Sequence, residues 1–242
     1  MFDPGEKTWA GIKVSDGLNV VETAADGSFT LPGHERERFI FITTPSGYKT
    51  FNRHYHKIEE KQSGYDFGLM PYSGRIRKDG SHKYIHIADT EIFNTENHED
   101  WVNNVRDYAG MNRRLLSFIP GISAMKKGLK AHIKLMNTEN MDCPVFYCIG
   151  NHDLVKGKYG EELFESIYGP VYYSFDAGNV HYIVTPMPGG DHAPGYTADD
   201  VCRWLKNDLA HIRPGTPVVV FNHDLLTYED AFIFKRQECG KH

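Results

Sequence analysis

Short apolar runs separated by glycine turns dominate the first part of the chain. Four runs of the length and residue type that favour a β-strand lie at residues 12–14, 19–22, 28–31 and 38–43. Asp16-Gly17 and Asp26-Gly27 stand between them, and Asp-Gly between two such runs is a strong signal for a hairpin turn. The pattern predicts a small antiparallel β module.

Residues 57–81 are rich in Gly, Lys and Ser and contain Pro71, a composition that suits a linker. After them the pattern of apolar and polar residues changes. Apolar runs at 83–88, 144–149 and 217–221 have the length of buried strands, whereas 99–108, 129–137 and 198–211 have helical period. Residues 172–175 and 179–185 indicate an inserted hairpin. Strands alternating with helices predict an α/β layered domain. We therefore expect two units, a β-sandwich-like domain with its linker (1–75) and an α/β domain (76–242).

Composition and charge exclude some partners. With 242 residues, 40% of them hydrophobic, the chain can bury a sizeable core. The net charge of −5 and the lack of a Lys/Arg-rich run argue against a nucleic-acid partner. No apolar run is long enough to span a bilayer, and the polar residues Asp3, Glu6 and Lys7 stand where a signal peptide would be apolar. We expect neither a membrane span nor an export signal in this sequence.

Polar residues follow each of the three apolar strands. The clusters are Asp89-Thr90-Glu91, Gly150-Asn151-His152-Asp153 and Asn222-His223-Asp224. Because sites form at the carboxyl ends of strands in open α/β sheets, these clusters are expected to converge on one crevice. Their oxygen atoms and imidazoles suit Mn, Fe or Zn better than an all-oxygen Ca or Mg cage.

Each cluster also has a simpler interpretation. Asp89 could cap the following helix, Glu91 could be an exposed charge at a helix start, and His223 could be a hydrogen-bonded core histidine. His54 and His56 could share a strand face as metal ligands or lie in a solvated linker. The Gly-Asn-His-Asp cluster is the most specific of the three, because a turn needs no such combination for packing alone.

Gly150-Asn151-His152-Asp153, followed by the segments 168–175 and 180–182, resembles the middle of calcineurin-like metallophosphoesterases. The β module, with Ser15-Asp16-Gly17 and Ala25-Asp26-Gly27, is similar to the N-terminal domain of a bacterial subgroup of these enzymes. The resemblance implies a layered β-sheet core with flanking helices. It also implies a hydrolase of phosphomonoesters or phosphodiesters that acts on a small phosphorylated substrate.

The resemblance further implies a role for each candidate residue. Asp89, with Glu91 at the next ligand position, would bind the first of two divalent ions (Mn, Fe or Zn), and His223 would bind the second. Asn151 would bind the second ion and the phosphate. His152 would contact the substrate and protonate the leaving oxygen, with Asp153 orienting it. Exported relatives suggest a periplasmic or extracellular parent protein.

This sequence departs from the family pattern at three places. Glu91 stands where most members have His, although a carboxylate can replace imidazole as a ligand. The Gly-Asp block expected between the first two clusters, whose Asp bridges both metals, is missing. The final Gly-His-x-His block is missing too, so the domain at 76–242 is expected to be C-terminally incomplete.

A damaged reading frame is one hypothesis for the missing Gly-Asp block. Residues 110–127 stand where a strand is expected but lack a clean strand pattern. Codons that encode Pro120 to Lys127 can be chosen so that a shifted frame reads Gly-Asp-Ile-Cys-Tyr-Glu-Lys. The alternative to an enzyme is therefore a degenerate, inactive phosphoesterase fold, which acts as a binding module or is the product of a damaged gene.

Overall fold

The computed structural model describes residues 7–59, 64–72, 76–88, 90, 92, 94–112, 114–119, 126–155 and 157–223. The first six strands are β1 (Lys13–Ser15), β2 (Val20–Glu22), β3 (Phe39–Ile42), β4 (Tyr48–Phe51), β5 (Tyr55–Lys57) and β6 (Gly68–Pro71). Four of them form an antiparallel sheet in the order β2-β1-β3-β5, and β4 pairs with β6. The predicted antiparallel β module is confirmed, whereas the linker predicted at 57–81 is wrong in part, because β6 lies within it and pairs with β4.

The two sheets of this module share a small core. Val14, Ile40 and Ile42 are buried on the larger sheet, and Leu69 of β6 packs against them. Both sheets thus contribute side chains to one apolar layer, as in a sandwich. The proposed domain boundary at residue 75 stays a prediction.

The strand predicted at residues 28–31 is wrong. The backbone N–H and the hydroxyl of Ser28 both donate to Asp26 Oδ1, at 3.0 and 2.6 Å, so residue 28 belongs to the turn. Phe29 and Leu31 pack against the core of the module from a loop. Local hydrogen bonding by Asp and Ser has therefore replaced ladder pairing in this segment.

The remaining elements alternate between strands and helices. They are β7 (Lys83–Ala88), α1 (Glu99–Asn112), β8 (Arg114–Ile119), α2 (Lys126–Leu135), β9 (Val145–Tyr147), α3 (Glu162–Tyr168), β10 (Tyr173–Ala177), β11 (Val180–Val184), α4 (Ala198–Ala210) and β12 (Val218–Phe221). A parallel sheet has the order β7-β8-β9, and a mixed sheet has the order β10-β11-β12. The α/β class is confirmed, and so is the inserted hairpin.

A strand does form inside the segment that lacks a strand pattern. β8 lies between β7 and β9, with Leu116 opposite Ile85 on one side and opposite Val145 on the other. Because parallel partners on both sides offer backbone hydrogen bonds, the tertiary context outweighs the weak local pattern. The strand expected in this segment is therefore present, and residues 120–125, where the shifted frame would read Gly-Asp, lie outside the described residues.

Aromatic rings join the parallel sheet to the mixed sheet. The rings of Phe146 on β9 and Phe175 on β10 stack with centroids 3.5 Å apart, and His86 on β7 stacks on Phe221 of β12 at 5.5 Å. Burial of β7 was predicted and is wrong, since its residues are half-buried or exposed and Tyr84 is 42% exposed. In the described sheet β7 is an edge strand, so its backbone pairs with a neighbouring strand, β8, on one side only.

Helix α4 confirms the helical period read at residues 198–211. Thr197 and Asp200 form a capping box at its start, and Trp204 on its buried face is fully enclosed. The Trp204 ring contacts Phe41 of the β module and Tyr172 before β10, so one core joins the module to the mixed sheet. Across the described helices, none has both the length and the apolar character needed to cross a membrane.

Tyr173 completes the outer edge of β9. Its hydroxyl accepts a hydrogen bond from the Tyr147 N–H at 2.7 Å and donates one to the Tyr147 carbonyl at 2.8 Å. One side chain thereby satisfies the two backbone groups that an edge strand leaves open.

We expect Tyr173→Phe to lower the free energy of unfolding by about 1–3 kcal/mol, because both Tyr147 backbone groups would lose their partner in a buried setting. Urea unfolding measures the loss, and hydrogen exchange should localise it to the Tyr147 amide. Tyr84→Phe is the control, since the exposed Tyr84 can bond to water in either state. An equal loss in both variants would contradict this role of the hydroxyl.

Candidate functional site

The Gly-Asn-His-Asp cluster forms a tight turn directly after β9. Residues Asn151–Asp153 form a single 3-10 turn, and the Gly150 N–H donates to Asp153 Oδ2 at 2.9 Å. Asp153 is fully buried. Its carboxylate therefore caps the turn that presents Asn151 and His152 at the carboxyl end of the sheet.

The end of β12 meets this turn. Asn222 donates from Nδ2 to Thr185 Oγ1 at 3.0 Å and to the Pro186 carbonyl at 3.1 Å, which fixes the chain beyond the neighbouring strand β11. The next residue, His223, has its Nε2 atom 3.1 Å from Asn151 Oδ1. The structure thus brings Asn151 and His223 together from distant positions in the sequence.

Cys148 fills the space between the strand ends. Its Sγ atom lies 3.5 Å from the Thr185 carbonyl and 4.0 Å from the Phe221 carbonyl. Burial raises the pKa of the Cys148 thiol to about 12, with a smaller raising effect from Asp153. Cys148 is therefore an uncharged packing residue at neutral pH, because only a thiolate acts as a metal ligand or nucleophile.

His152 pairs with a carboxylate that the sequence interpretation missed. Its Nδ1 atom lies 3.0 Å from Asp191 Oδ2, and both side chains are about half exposed, at 56% and 46%. Asp153, to which the sequence interpretation assigns the orienting role, accepts the Gly150 N–H with its Oδ2 atom, and its role toward His152 stays a prediction. Asp191 is a second carboxylate, and it is in hydrogen-bonding contact with the His152 ring.

Asp191 belongs to the loop at residues 185–196, called here the site loop. The Asp191 N–H donates to the Asn151 carbonyl at 3.2 Å, which seats the loop on the 3-10 turn. A side chain at position 190 would overlap the Asn151 carbonyl, so Gly190 permits this close approach. Gly189-Gly190 before an acidic residue was the signal available in the sequence.

The other candidate ligands divide into two pairs. Asp89 and Glu91 lie outside the described residues. His54 is half-buried beside the Tyr173 ring, and desolvation of its imidazole lowers its pKa to about 4, while His56 Nε2 bonds to the Asp66 carbonyl at 2.7 Å. The two imidazoles of the β module therefore have separate structural environments.

The donor atoms of Asn151 and His223 suit a divalent transition metal. An amide oxygen and an imidazole nitrogen 3.1 Å apart have the separation of two neighbouring ligands on one ion with bonds of about 2.1 Å. His223 Nδ1 is buried, and among the described residues no hydrogen-bond partner meets it. Across that same part of the chain, no group of three His, Cys, Asp or Glu side chains is arranged to hold an ion.

A separate cavity of about 440 Å³ lies at the opposite end of β12. Its lining includes Lys13, Asp176 and Arg213, together with the turn between β10 and β11. This cavity is distant from the Asn151–His223 pair along the strands and contains none of the predicted site residues.

Comparison with known proteins identifies the beginning of the chain. Residues 2–72 match the family model described as the N terminal of Calcineurin-like phosphoesterase. The resemblance of the β module is therefore confirmed: these residues are similar to the N-terminal domain of calcineurin-like phosphoesterases. The match ends before the candidate site. No curated protein and no solved structure matched the chain.

Proposed function

We propose that this chain is a metal-dependent hydrolase of phosphate esters with its reaction centre at the carboxyl ends of β9 and β12. The single observation that carries the proposal is the contact between Asn151 Oδ1 and His223 Nε2 at 3.1 Å. These two residues follow different strands, and neither packing nor turn formation requires them to meet. The phosphoesterase N-terminal domain at residues 2–72 gives independent support.

Asn151 and His223 would hold one of two divalent ions, and Asp89 with Glu91, just after β7, would complete the site. When bound, such ions polarise phosphate oxygens and lower the pKa of an attacking water. Asn151 would also donate from its amide nitrogen to a phosphate oxygen. We propose Mn, Fe or Zn, since the ligands combine hard oxygens with imidazole.

His152 would donate the proton that the leaving oxygen requires. Its ring stands beside Asn151 on the same turn, and Asp191 bonds to Nδ1, which leaves Nε2 free to face a bound ester. A carboxylate that holds Nδ1 fixes the orientation of the ring, so Nε2 is the atom from which a proton would pass to the leaving oxygen. The proposed substrate is a small phosphomonoester or phosphodiester, which the similarity of residues 2–72 to the N-terminal domain of phosphoesterases supports.

The first test is metal stoichiometry and hydrolysis with the chain as it stands. After dialysis against chelator and reconstitution with Mn²⁺, we expect at least one tightly bound ion per chain, and hydrolysis of an aryl phosphate diester. Asn151→Ala and His223→Ala should each weaken ion binding by a factor on the order of ten to a hundred or more. His211→Ala is the matched control, since His211 precedes β12 at the end away from the site.

Fewer than one tightly bound ion in the parent chain, with no hydrolysis, would overturn the enzymatic proposal. The chain would then be the inactive member of the fold, a binding module or the product of a damaged gene. Ion binding that survives in both site variants would instead place the metal elsewhere in the chain.

A further inference from the structure

One guanidinium of the β module reaches the second part of the chain close to the candidate site. Arg38 lies just before β3, and its Nη2 atom is 2.9 Å from Glu161 Oε1 and 2.8 Å from Glu165 Oε1. Its Cζ atom stands 4.5 Å from the centre of the Tyr159 ring. Arg38 therefore holds the start of α3 by an ion pair with Glu161, a polar contact with Glu165 and a cation–π contact with Tyr159.

The carboxylate of Glu161 links Arg38 to the site loop. Glu161 is fully buried, and its two oxygens accept the Gly195 N–H at 3.0 and 2.9 Å. A buried carboxylate needs a compensating charge, and Arg38 supplies it. A β-carbon added at Gly195 would stand 3.0 Å from Glu161 Oε1 and 3.2 Å from Arg38 Nη1, so the loop is packed onto the ion pair itself.

Backbone bonds continue the connection along the loop. The Gly160 N–H donates to the Ala193 carbonyl at 2.9 Å, and the Asp191 N–H donates to the Asn151 carbonyl at 3.2 Å. The segment between these two anchors carries Asp191, the partner of His152. Gly195 is the next anchor beyond Ala193, so its loss would leave the segment supported on that side by the Gly160–Ala193 bond alone.

We propose that Arg38 is a positioning residue of the candidate site: through Glu161 it fixes the site loop in the place that puts Asp191 beside His152. The β module is then a structural part of the site and more than a spacer. The catalytic meaning of this connection rests on the function proposed above, whereas the mechanical connection does not.

A neighbouring ion pair shows what a simple tether looks like. Arg36, two residues earlier, pairs with Asp200 of α4 at 2.8 Å and is 66% exposed. It joins the same two parts of the chain but touches no residue of the site loop in the described contacts. A comparison of Arg36 and Arg38 variants therefore distinguishes an ion pair that only attaches the β module from one that also supports the site loop.

The test is amide hydrogen exchange measured by mass spectrometry on the full chain, which requires neither metal nor activity. In Arg38→Met, peptides covering residues 185–196 should exchange on the order of tenfold faster, because Glu161 loses its compensating charge and releases Gly195. Peptides from α4 and from β10–β11 should keep their rates. Arg38→Lys should recover part of the protection, since an ammonium can still pair with Glu161.

Two controls make the result specific. Arg36→Met should leave the loop unchanged. Glu165→Gln should do the same, because burial raises the pKa of Glu165 to about 8 despite Arg38, so this carboxyl is largely neutral already. Loop exchange at the parental rate in Arg38→Met, or an equal rise throughout the chain, would overturn the proposal.

A second variant keeps the test decisive if Arg38→Met does not fold. Glu161→Gln retains the size of the side chain but presents one oxygen and one NH₂ group where two oxygens now accept the Gly195 N–H. We expect the same local rise in loop exchange there, and unchanged loop exchange would overturn the proposal. A failure of the phosphoesterase test with a positive exchange result would reject the function alone.

Discussion

Asp208→Ala should lower the free energy of unfolding by about 3–5 kcal/mol, the cost typical of removing one partner from a buried ion pair. Asp208 is 1% exposed, and its Oδ2 atom lies 2.7 Å from His181 Nε2. Its Oδ1 atom accepts the Ser174 hydroxyl at 2.7 Å. The substitution would leave a fully buried imidazolium and a buried hydroxyl without this acceptor. Urea unfolding at pH 5.5 measures the loss.

The network around His181 also predicts how this loss depends on pH. Burial by itself lowers the pKa of His181, but hydrogen bonds to Asp176 and Asp208 outweigh it and raise the pKa above the ordinary 6.5. A raised pKa contributes stability that is fully present below pH 6.5 and disappears as the pH rises through the folded-state value. The difference between parent and Asp208→Ala should therefore be largest near pH 5.5 and smaller at pH 9.

Asp176 sets the acid limit of the same network. Burial raises its pKa, but the bonds to His181 and Lys13 dominate and lower it below the ordinary 3.8. Its contribution is therefore present above pH 3.8 and is lost as the pH falls through the folded-state value.

The control for Asp208→Ala is Asp199→Ala on α4. The Asp199 side chain in the ion pair with Arg203 is 75% exposed, so this pair should contribute at most about 1 kcal/mol. Equal losses in the two variants at pH 5.5 would contradict the buried ion pair.

His152→Gln should lower kcat by about 10²–10⁴-fold for a phosphate ester whose leaving alcohol is a poor leaving group, because such an oxygen needs a proton as its bond breaks. An aryl ester with an acidic phenol leaves without that proton, so the loss there should be far smaller. Steady-state kinetics with the two substrates and added Mn²⁺ measure the difference. If the ratio of kcat values for the two substrates stays at the parental value in His152→Gln, His152 is not the acid that protonates the leaving oxygen.

His192→Gln controls for the mere presence of an imidazole near the site. His192 is an exposed neighbour of Asp191 on the site loop. We expect it to leave both rates unchanged. For Asp191→Asn we expect a loss of kcat between those of His152→Gln and His192→Gln, because His152 would keep its ring but lose the carboxylate that holds it.

Strong local patterns predicted most elements of this fold. The apolar run at 83–88 coincides with β7, and helical period located α4 within a residue of its end. The strand prediction at 28–31 failed because Ser28 bonds to Asp26 within the turn. Strand β8 was missed because its pairing partners are strands distant in the sequence. Hydrophobic period and turn residues are local properties, so they can be recognised in the sequence. The strands that pair with one another are distant in the sequence, so the local pattern does not identify them.

The candidate site shows the same division. Asn151, His152 and His223 were found because each stands just after an apolar strand, which is a property of the sequence. Asp191 was overlooked because only the approach of Gly190 to the Asn151 carbonyl brings it to His152. Arg38 gave no signal, since its role depends on a buried carboxylate more than a hundred residues away.

The sequence by itself determined the β module, the α/β alternation and the residue types placed at the strand ends, because periodicity and turn residues act over a few positions. The tertiary structure alone decided which of these residues meet. It paired Asn151 with His223, gave His152 the carboxylate of Asp191, and enclosed His181 between two aspartates. Such pairings depend on how strands and loops pack in space, where buried charges must find partners that no local pattern encodes.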